Sequence, residues 1–211
     1  MLNHIIKICG IRDAEMARLA AEEGANLIGI IFHPSSPRNV SLEQAIDISN
    51  AAKKAGALPV AVFVNQTDTE MRAICEATNI KTIQLHGTTA RAHHHLLPNE
   101  FQRIYVLNMT EQGELLTDNG LQYLNPDRDM ILIDHPEAGS GKMINYKKFN
   151  YPFQFPWLLA GGLTPNNVTM MIDKLRPNGV DVSSGVEVSK GHKDISLIKQ
   201  FIKEVRGYHE S

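Results

Sequence analysis

The stretch Ile5-Ile6-Lys7-Ile8-Cys9, followed by Asp13 through Gly24 and then Leu27-Ile28-Gly29-Ile30-Ile31-Phe32, reads as strand, helix and strand. The outer segments are short, apolar and rich in β-branched residues, which suits strands covered on both faces. Residues 13–23 are amphipathic at helical spacing, and Gly24 is the residue type that closes a helix. Two buried strands joined by a helix lie parallel, because the crossover returns the chain to the same end of the sheet.

Beyond Phe32 the same unit recurs. The loop 33–40 leads to Ser41, an N-cap whose box Gln44 completes, and that helix runs to about residue 55 before Gly56. Strand three is read at 59–64, and Thr67 with Glu70 opens the next helix. Strand four covers 82–86 with a helix over 89–97, strand five 103–108, strand six Met130–Asp134 and strand seven 157–160. Thr164 is expected to cap the following helix with Pro165 at its first position. Strand eight covers 179–183, and the last helix runs from near Asp194 to about Arg206. Eight such units in 211 residues predict a small (β/α)₈ barrel, one domain over 1–211. Two regions break the pattern. Residues 110–129 should hold helix five but have poor spacing, and 138–156, with prolines and aromatics, leave room only for a stunted helix six.

Composition narrows the function. Hydrophobic residues make up 43% of the chain, which argues for a packed core and against disorder. The net charge is −2 with the signs interspersed, so there is no basic stripe to neutralise a nucleic-acid backbone. The longest apolar runs fall far short of a membrane span, and Met1-Leu2-Asn3-His4 does not begin a secretory signal. The expectation is a cytoplasmic protein, monomer or homodimer, with no membrane or nucleic-acid partner. Its two cysteines, Cys9 and Cys75, are expected to stay reduced, and Cys75, mid-helix, to sit in the core. No Cys-x-x-Cys occurs. The run His93-His94-His95 resembles a metal tract, but consecutive helical residues face different ways, so it is read as a solvated face. No metal and no cofactor are expected.

In a (β/α)₈ barrel the site lies at the C-terminal ends of the strands. Those positions hold Cys9, Arg38, Gln84, His86, Asp134, Gly161, Gly162, Asp181, Ser183, Ser184 and Gly185. Gly161 and Gly162 let backbone N–H groups approach an anion, and the Ser183-Ser184-Gly185 segment can open a short helix whose N-terminus does the same. Strands seven and eight are where such barrels grip phosphate. Asp134 is an acid candidate, although a strand-end aspartate also serves as an Asx-turn. Cys9 alone reads as a small buried hydrophobe. Lys7, on the same strand face and about 7 Å away by strand rise, changes the balance: a nearby cation favours the thiolate and should bring Cys9 below a free thiol. Lys7 can equally pair with a barrel carboxylate. Arg38, in a loop stiffened by Pro34 and Pro37, offers a planar fork to a carboxylate, or is simply solvated. Gln84 and His86 share a face toward the mouth, where His86 can orient a ligand hydroxyl.

In order along the chain, Lys7-Ile8-Cys9-Gly10-Ile11, Ser36-Pro37-Arg38, Val62-Phe63-Val64-Asn65 and Gln84-Leu85-His86-Gly87 resemble the phosphoribosylanthranilate isomerase family of tryptophan biosynthesis. So do Leu132-Ile133-Asp134, Gly139-Ser140-Gly141-Lys142, Ala160-Gly161-Gly162-Leu163-Thr164-Pro165 and Gly179 through Glu187. The resemblance implies an aldose-to-ketose rearrangement of a small phosphorylated substrate. It implies Asp134 as general acid on the ribose ring oxygen and Cys9 as base at C2. It also implies Arg38 near the anthranilate carboxylate, His86 and Asp181 lining that pocket, and the segments after strands seven and eight holding phosphate. One departure is Ala138, in His135-Pro136-Glu137-Ala138-Gly139, where the family usually has a glycine pair.

Other phosphosugar barrels fit less well. An epimerase calls for metal ligands at strand ends and indole-glycerol-phosphate synthase for a lysine pair with a glutamate, and neither set stands out. The related histidine-pathway isomerase uses aspartates at strands one and five, where this chain has Cys9 and Asn108. A barrel that only binds phosphate ligands would not need both Cys9 and Asp134.

Overall fold

The structure is a computed structural model describing residues 4–110, 114–134 and 149–208. Among these, eight parallel strands form a ring: β1 (Ile5–Cys9), β2 (Leu27–Phe32), β3 (Leu58–Phe63), β4 (Thr82–Leu85), β5 (Gln102–Met109), β6 (Met130–Asp134), β7 (Trp157–Leu159) and β8 (Gly179–Val182). Pairing of β1 with both β2 and β8, and of β4 with β5, closes the sheet. Helices α1 (Ala14–Glu22), α2 (Leu42–Lys54), α3 (Asp68–Thr78), α4 (Thr88–His93), α5 (Val168–Leu175) and α6 (Ile195–Arg206) lie between strands or after the last.

Strand alternation sorts the side chains into two cores. Leu27, Val60, Ile104, Val106, Met130, Leu132, Leu158 and Ala160 fill the barrel. Their neighbours, such as Ile6, Ile8, Ile28, Ile30, Ile131 and Ile133, point outward under the helices. The helices meet them with stripes at helical spacing. In α6 the buried set is Ile198, Phe201, Ile202 and Val205, each burial stabilising by about 1.5–3 kcal/mol. The side chains of Asp13, Ser41, Thr67 and Asp194 accept backbone N–H bonds at the starts of α1, α2, α3 and α6, with full capping boxes at Ser41–Gln44 and Thr67–Glu70.

Two local expectations change, and a third falls largely outside the described residues. The helix after β7 starts at Val168, not directly after Thr164. Asn167 takes the Thr164 N–H on Oδ1 (2.8 Å) and donates Nδ2 to the Gly162 carbonyl (2.9 Å), so the chain closes a turn before it can begin a helix. In the region expected to hold helix five, the described residues form a two-residue strand, Leu115–Leu116, antiparallel to the end of β5, and a 3₁₀ turn, Asn119–Tyr123. The Tyr105 hydroxyl and the Gly120 N–H both bond to Asp118, which ties that turn to the barrel wall. Of the stretch expected to hold a stunted helix six, 138–148 lie outside the described residues, and 149–156 contain no helix. The Gly139–Lys142 motif and the Ala138 departure fall in the same gap. No helix among the described residues is long and apolar enough to cross a membrane.

Candidate active site

The strands change character along their length. Inside the barrel their lower positions are largely aliphatic, with Lys7 on β1 and Thr82 on β4 as polar exceptions, whereas their C-terminal ends present Cys9 on β1, Gln84 on β4, Asp134 on β6 and Asp181 on β8. These four, with Arg38, His86, Gly161, Gly162, Ser183 and Ser184, line one cleft of about 840 Å³, counted to its open mouth. Gly185 stands behind the wall with a steric role. A Cβ there would lie 1.8 Å from the Leu163 carbonyl oxygen, so only glycine lets the loops after β7 and β8 touch. Gly161 and Gly162 both adopt positive φ, 92° and 66°, which L side chains rarely accept. The expected short helix after β8 is a 3₁₀ turn, Ser184–Val186.

Lys7 is fully buried inside the barrel and donates to Asp181 Oδ1 at 2.8 Å, its register partner on β8. Burial would strip the ammonium of its proton, but the charges of Asp181 and Cys9 outweigh it and hold the proton more tightly than usual. Of the two roles open to Lys7, ion pairing is therefore in place. The expected activation of Cys9 is not. Burial pushes the thiol above its ordinary value, Lys7 opposes this without winning, and Asp181 adds to the upward push. An aspartate that takes most of the lysine's charge leaves too little to offset desolvation of a thiolate.

Arg38 does present a planar fork, but to a carboxylate of this chain. Nε and Nη2 donate to Glu187 Oε1 and Oε2 at 2.7 and 2.8 Å. Its stem lies over Gly10, where a Cβ would meet Arg38 Cδ at 2.5 Å. Gln84 Oε1 and His86 Nδ1 are buried, line the cleft and have no hydrogen-bond partner among the described residues. Burial first, then the Lys7 charge, lowers the His86 pKa and keeps its imidazole neutral. Asp134 ends β6 beside Asn108 of β5 and is 6% exposed.

The histidine run is a correction. His94 is fully buried, bonds the Gly120 carbonyl through Nε2 (3.1 Å) and packs edge-on against Tyr105, with its pKa lowered to about 4 by burial. His93 contacts Asp68, and His95 stacks on Tyr123. Three consecutive residues still face three ways, but the middle one faces the protein. Cys75 is buried in α3 as expected, its thiol pushed up to about 12. Among the described residues, no three His, Cys, Asp or Glu side chains are grouped to hold a metal ion.

Three residues of the site were not anticipated. Gly29 pairs with Cys9 in register, and a Cβ there would fall 2.8 Å from Cys9 Sγ. Glu187 and Lys193 flank a hairpin after β8, formed by Glu187–Ser189 and His192–Lys193 and turned at Gly191. The Lys190-Gly191 pair was the available cue for that turn.

A profile of the family described as N-(5'phosphoribosyl)anthranilate (PRA) isomerase matches residues 6–204. The N-(5'-phosphoribosyl)anthranilate isomerase of Chlamydia felis is 42% identical over 202 residues, covering 95% of this chain and 96% of the relative. A structure of monomers of the dimeric isomerase from Thermotoga maritima superposes with TM-score 0.76 at 31% identity, covering 97% of this chain and 99% of that one. A phosphoribosyl anthranilate isomerase bound to reduced 1-(o-carboxyphenylamino)-1-deoxyribulose 5-phosphate superposes with TM-score 0.74 at 32% identity, covering 97% and 99%.

Proposed function

We propose, from the premise that this chain belongs to the N-(5'-phosphoribosyl)anthranilate isomerase family, that Cys9 and Asp134 are the base and the acid of its reaction. The enzyme converts N-(5-phosphoribosyl)anthranilate to 1-(2-carboxyphenylamino)-1-deoxyribulose 5-phosphate, a step of tryptophan biosynthesis. The whole chain, 1–211, is taken as one catalytic barrel.

One observation carries the assignment of roles. Around the ring, β8 and β7 lie between β1 and β6. The loops that offer N–H groups to a phosphate therefore stand between the thiol and the carboxyl, and all face the same cleft. A phosphate held there anchors a ribose that spans the two groups.

Asp134 gives a proton to the ring oxygen while the nitrogen lone pair expels it from C1. The ring opens to a protonated Schiff base. Cys9, as thiolate, removes the proton from C2, and the electron pair moves into C1–C2 to give an enolamine. The enol proton is lost and C1 gains one, which leaves the ketone. One carbon is oxidised and its neighbour reduced, so the sequence is internally balanced. The Schiff-base cation supplies the positive charge that the paired Lys7 withholds, so the thiolate is favoured when it is needed. Arg38 receives the anthranilate carboxylate, and Gln84 Oε1 and His86 Nδ1 accept from sugar hydroxyls. Asp181 positions Lys7 from the same wall.

The test is to mix purified protein with fresh phosphoribosylanthranilate, chelator present and nothing else added, and to follow the loss of anthranilate-type fluorescence. Decay well above the spontaneous rate, abolished in Asp134→Asn, supports the acid. Cys9→Ser should bind ligand and not turn over; full activity in that variant overturns the base. The reading also places the enzyme in the cytoplasm, as monomer or homodimer without nucleic-acid or membrane partners. Its two free thiols suit a reducing compartment.

A further inference from the structure

Arg38 is held by a carboxylate that is itself buried and bonded by three groups of this chain. Glu187 Oε1 accepts from Arg38 Nε (2.7 Å) and Lys193 Nζ (2.8 Å), while Oε2 accepts from Arg38 Nη2 (2.8 Å) and the Gly191 N–H (3.1 Å). The Glu187 and Lys193 side chains are only 4% and 3% exposed. The hairpin tip also presses on the arginine's loop: a Cβ at Gly191, where φ is +85°, would meet the Pro37 carbonyl oxygen at 2.8 Å. The loop after β2 and the hairpin after β8 are thus locked together over the end of β1.

The geometry of the clamp is selective. Glu187 takes the side-on face of the guanidinium, Nε with Nη2. Among the described residues, nothing takes Nη1, and Arg38 lines the cleft. A second carboxylate can therefore still be met on the end-on face, Nη1 with Nη2, which is the other bidentate geometry of arginine. A lone glutamate would cancel the charge that attracts such an anion. Lys193 restores it: two cations and one carboxylate leave the cluster at +1. Lys193 also donates to the Ser183 carbonyl (2.9 Å) and hydroxyl (3.2 Å), and the Ser183 hydroxyl donates to the Cys9 carbonyl (3.1 Å). The cluster thereby spans the anion pocket, the loop after β8 and the catalytic strand.

We propose that Glu187 is a positioning residue for substrate selection, holding Arg38 so that its free face meets the carboxylate of the aryl amine, with Lys193 keeping the cluster cationic. This rests on the reading of Arg38 as the carboxylate's partner. Glu187 touches no substrate and is not a rival for the fork.

The probes are two inert reduced product analogues, one with the ring carboxylate and one without, titrated calorimetrically into the full-length protein. Wild type should favour the carboxylated analogue by roughly tenfold or more, the range of a charge-assisted bidentate contact. Arg38→Met should erase that preference. Glu187→Gln should erase most of it by weakening the carboxylated analogue alone, while the other binds as in wild type and thereby reports an intact fold and phosphate site. Glu187→Asp, which keeps the charge one methylene short, should fall between; it serves by the same criterion if Glu187→Gln does not fold. Equal weakening of both analogues would reduce Glu187 to a structural role and overturn the proposal. Tighter binding of the carboxylated analogue in Glu187→Gln would make Glu187 a competitor and also overturn it. If Arg38→Met keeps the preference, the reading of Arg38 itself fails. If Arg38→Met loses it and Glu187→Gln does not, only the role of Glu187 fails.

Discussion

Lys7 Nζ and Asp181 Oδ1 lie 2.8 Å apart inside the barrel, on neighbouring strands in register, one inward position below Cys9. The pair puts an ammonium beneath the thiol and at the same time spends its charge on a carboxylate. Local electrostatics at Cys9 follow from that division.

Lys7→Met leaves Asp181 as an unpaired buried carboxylate. Urea denaturation at pH 7 should show a loss of about 3–5 kcal/mol, with Lys7→Met/Asp181→Leu recovering much of it. A loss below about 1 kcal/mol, the scale of an exposed pair, would mean that water reaches the site.

Cys9 should titrate above a free thiol in the protein without ligand, since burial outweighs Lys7. The folded state then holds its proton more tightly than the unfolded chain. That stabilisation is complete below the unfolded pKa and is lost as pH rises through the folded one. Thiolate absorbance of wild type minus Cys9→Ser, followed from neutral to alkaline pH, reads it directly. A midpoint below about 8.5 contradicts the prediction and restores the simpler picture of a lysine-activated thiol.

Glu187 behaves in the opposite sense. Burial alone would raise its pKa, but bonds from Arg38 and Lys193 bring it down to about 2. The stability it confers is present above its unfolded value of about 4.3 and is lost as pH falls from there toward the folded one, on the order of 3 kcal/mol in all. Stability curves between pH 6 and 2 should therefore converge for wild type and Glu187→Gln at the acid end. Parallel curves would place the protonation elsewhere.

Two glycine variants should separate binding from chemistry. Gly185→Ala drives a Cβ to 1.8 Å from the Leu163 carbonyl, backbone that cannot swing aside. The loops after β7 and β8 must part, and affinity for inorganic phosphate should fall roughly tenfold or more, with about 1–3 kcal/mol of stability. Gly29→Ala instead sets a Cβ 2.8 Å from Cys9 Sγ, closer than real Cβ atoms come, so the thiol must shift. Turnover should fall by about 10²-fold with phosphate binding unchanged; a phosphate defect there would show that Gly29 supports more than the thiol.

Much of this protein can be read without a structure because its signals are local. Apolar strands of five or six residues, capping boxes at Ser41 and Thr67, and glycines after helices each depend on neighbours a few positions away. Strand order and the rule that such barrels work at their C-terminal ends then pick out Cys9, Gln84, Asp134 and Asp181. Thr164 misled because a cap and a turn share residue types, and Asn167, three positions on, settles the choice by bonding back.

By itself, then, the sequence determined the barrel, the end of it that carries chemistry, and the residue types gathered there. Closure of the ring decided the rest. Glu187 meets Arg38 across 149 residues of chain, and Asp181 meets Lys7 across 174. His94 is buried between Tyr105 of β5 and the turn at Gly120, whose carbonyl bonds its ring. The proton affinity of Cys9 is a balance between desolvation and the charges of Lys7 on its own strand, Asp181 on β8 and Lys193 on the hairpin beyond it. Such balances act through space at a few ångströms and in low dielectric, so no spacing along the chain records them.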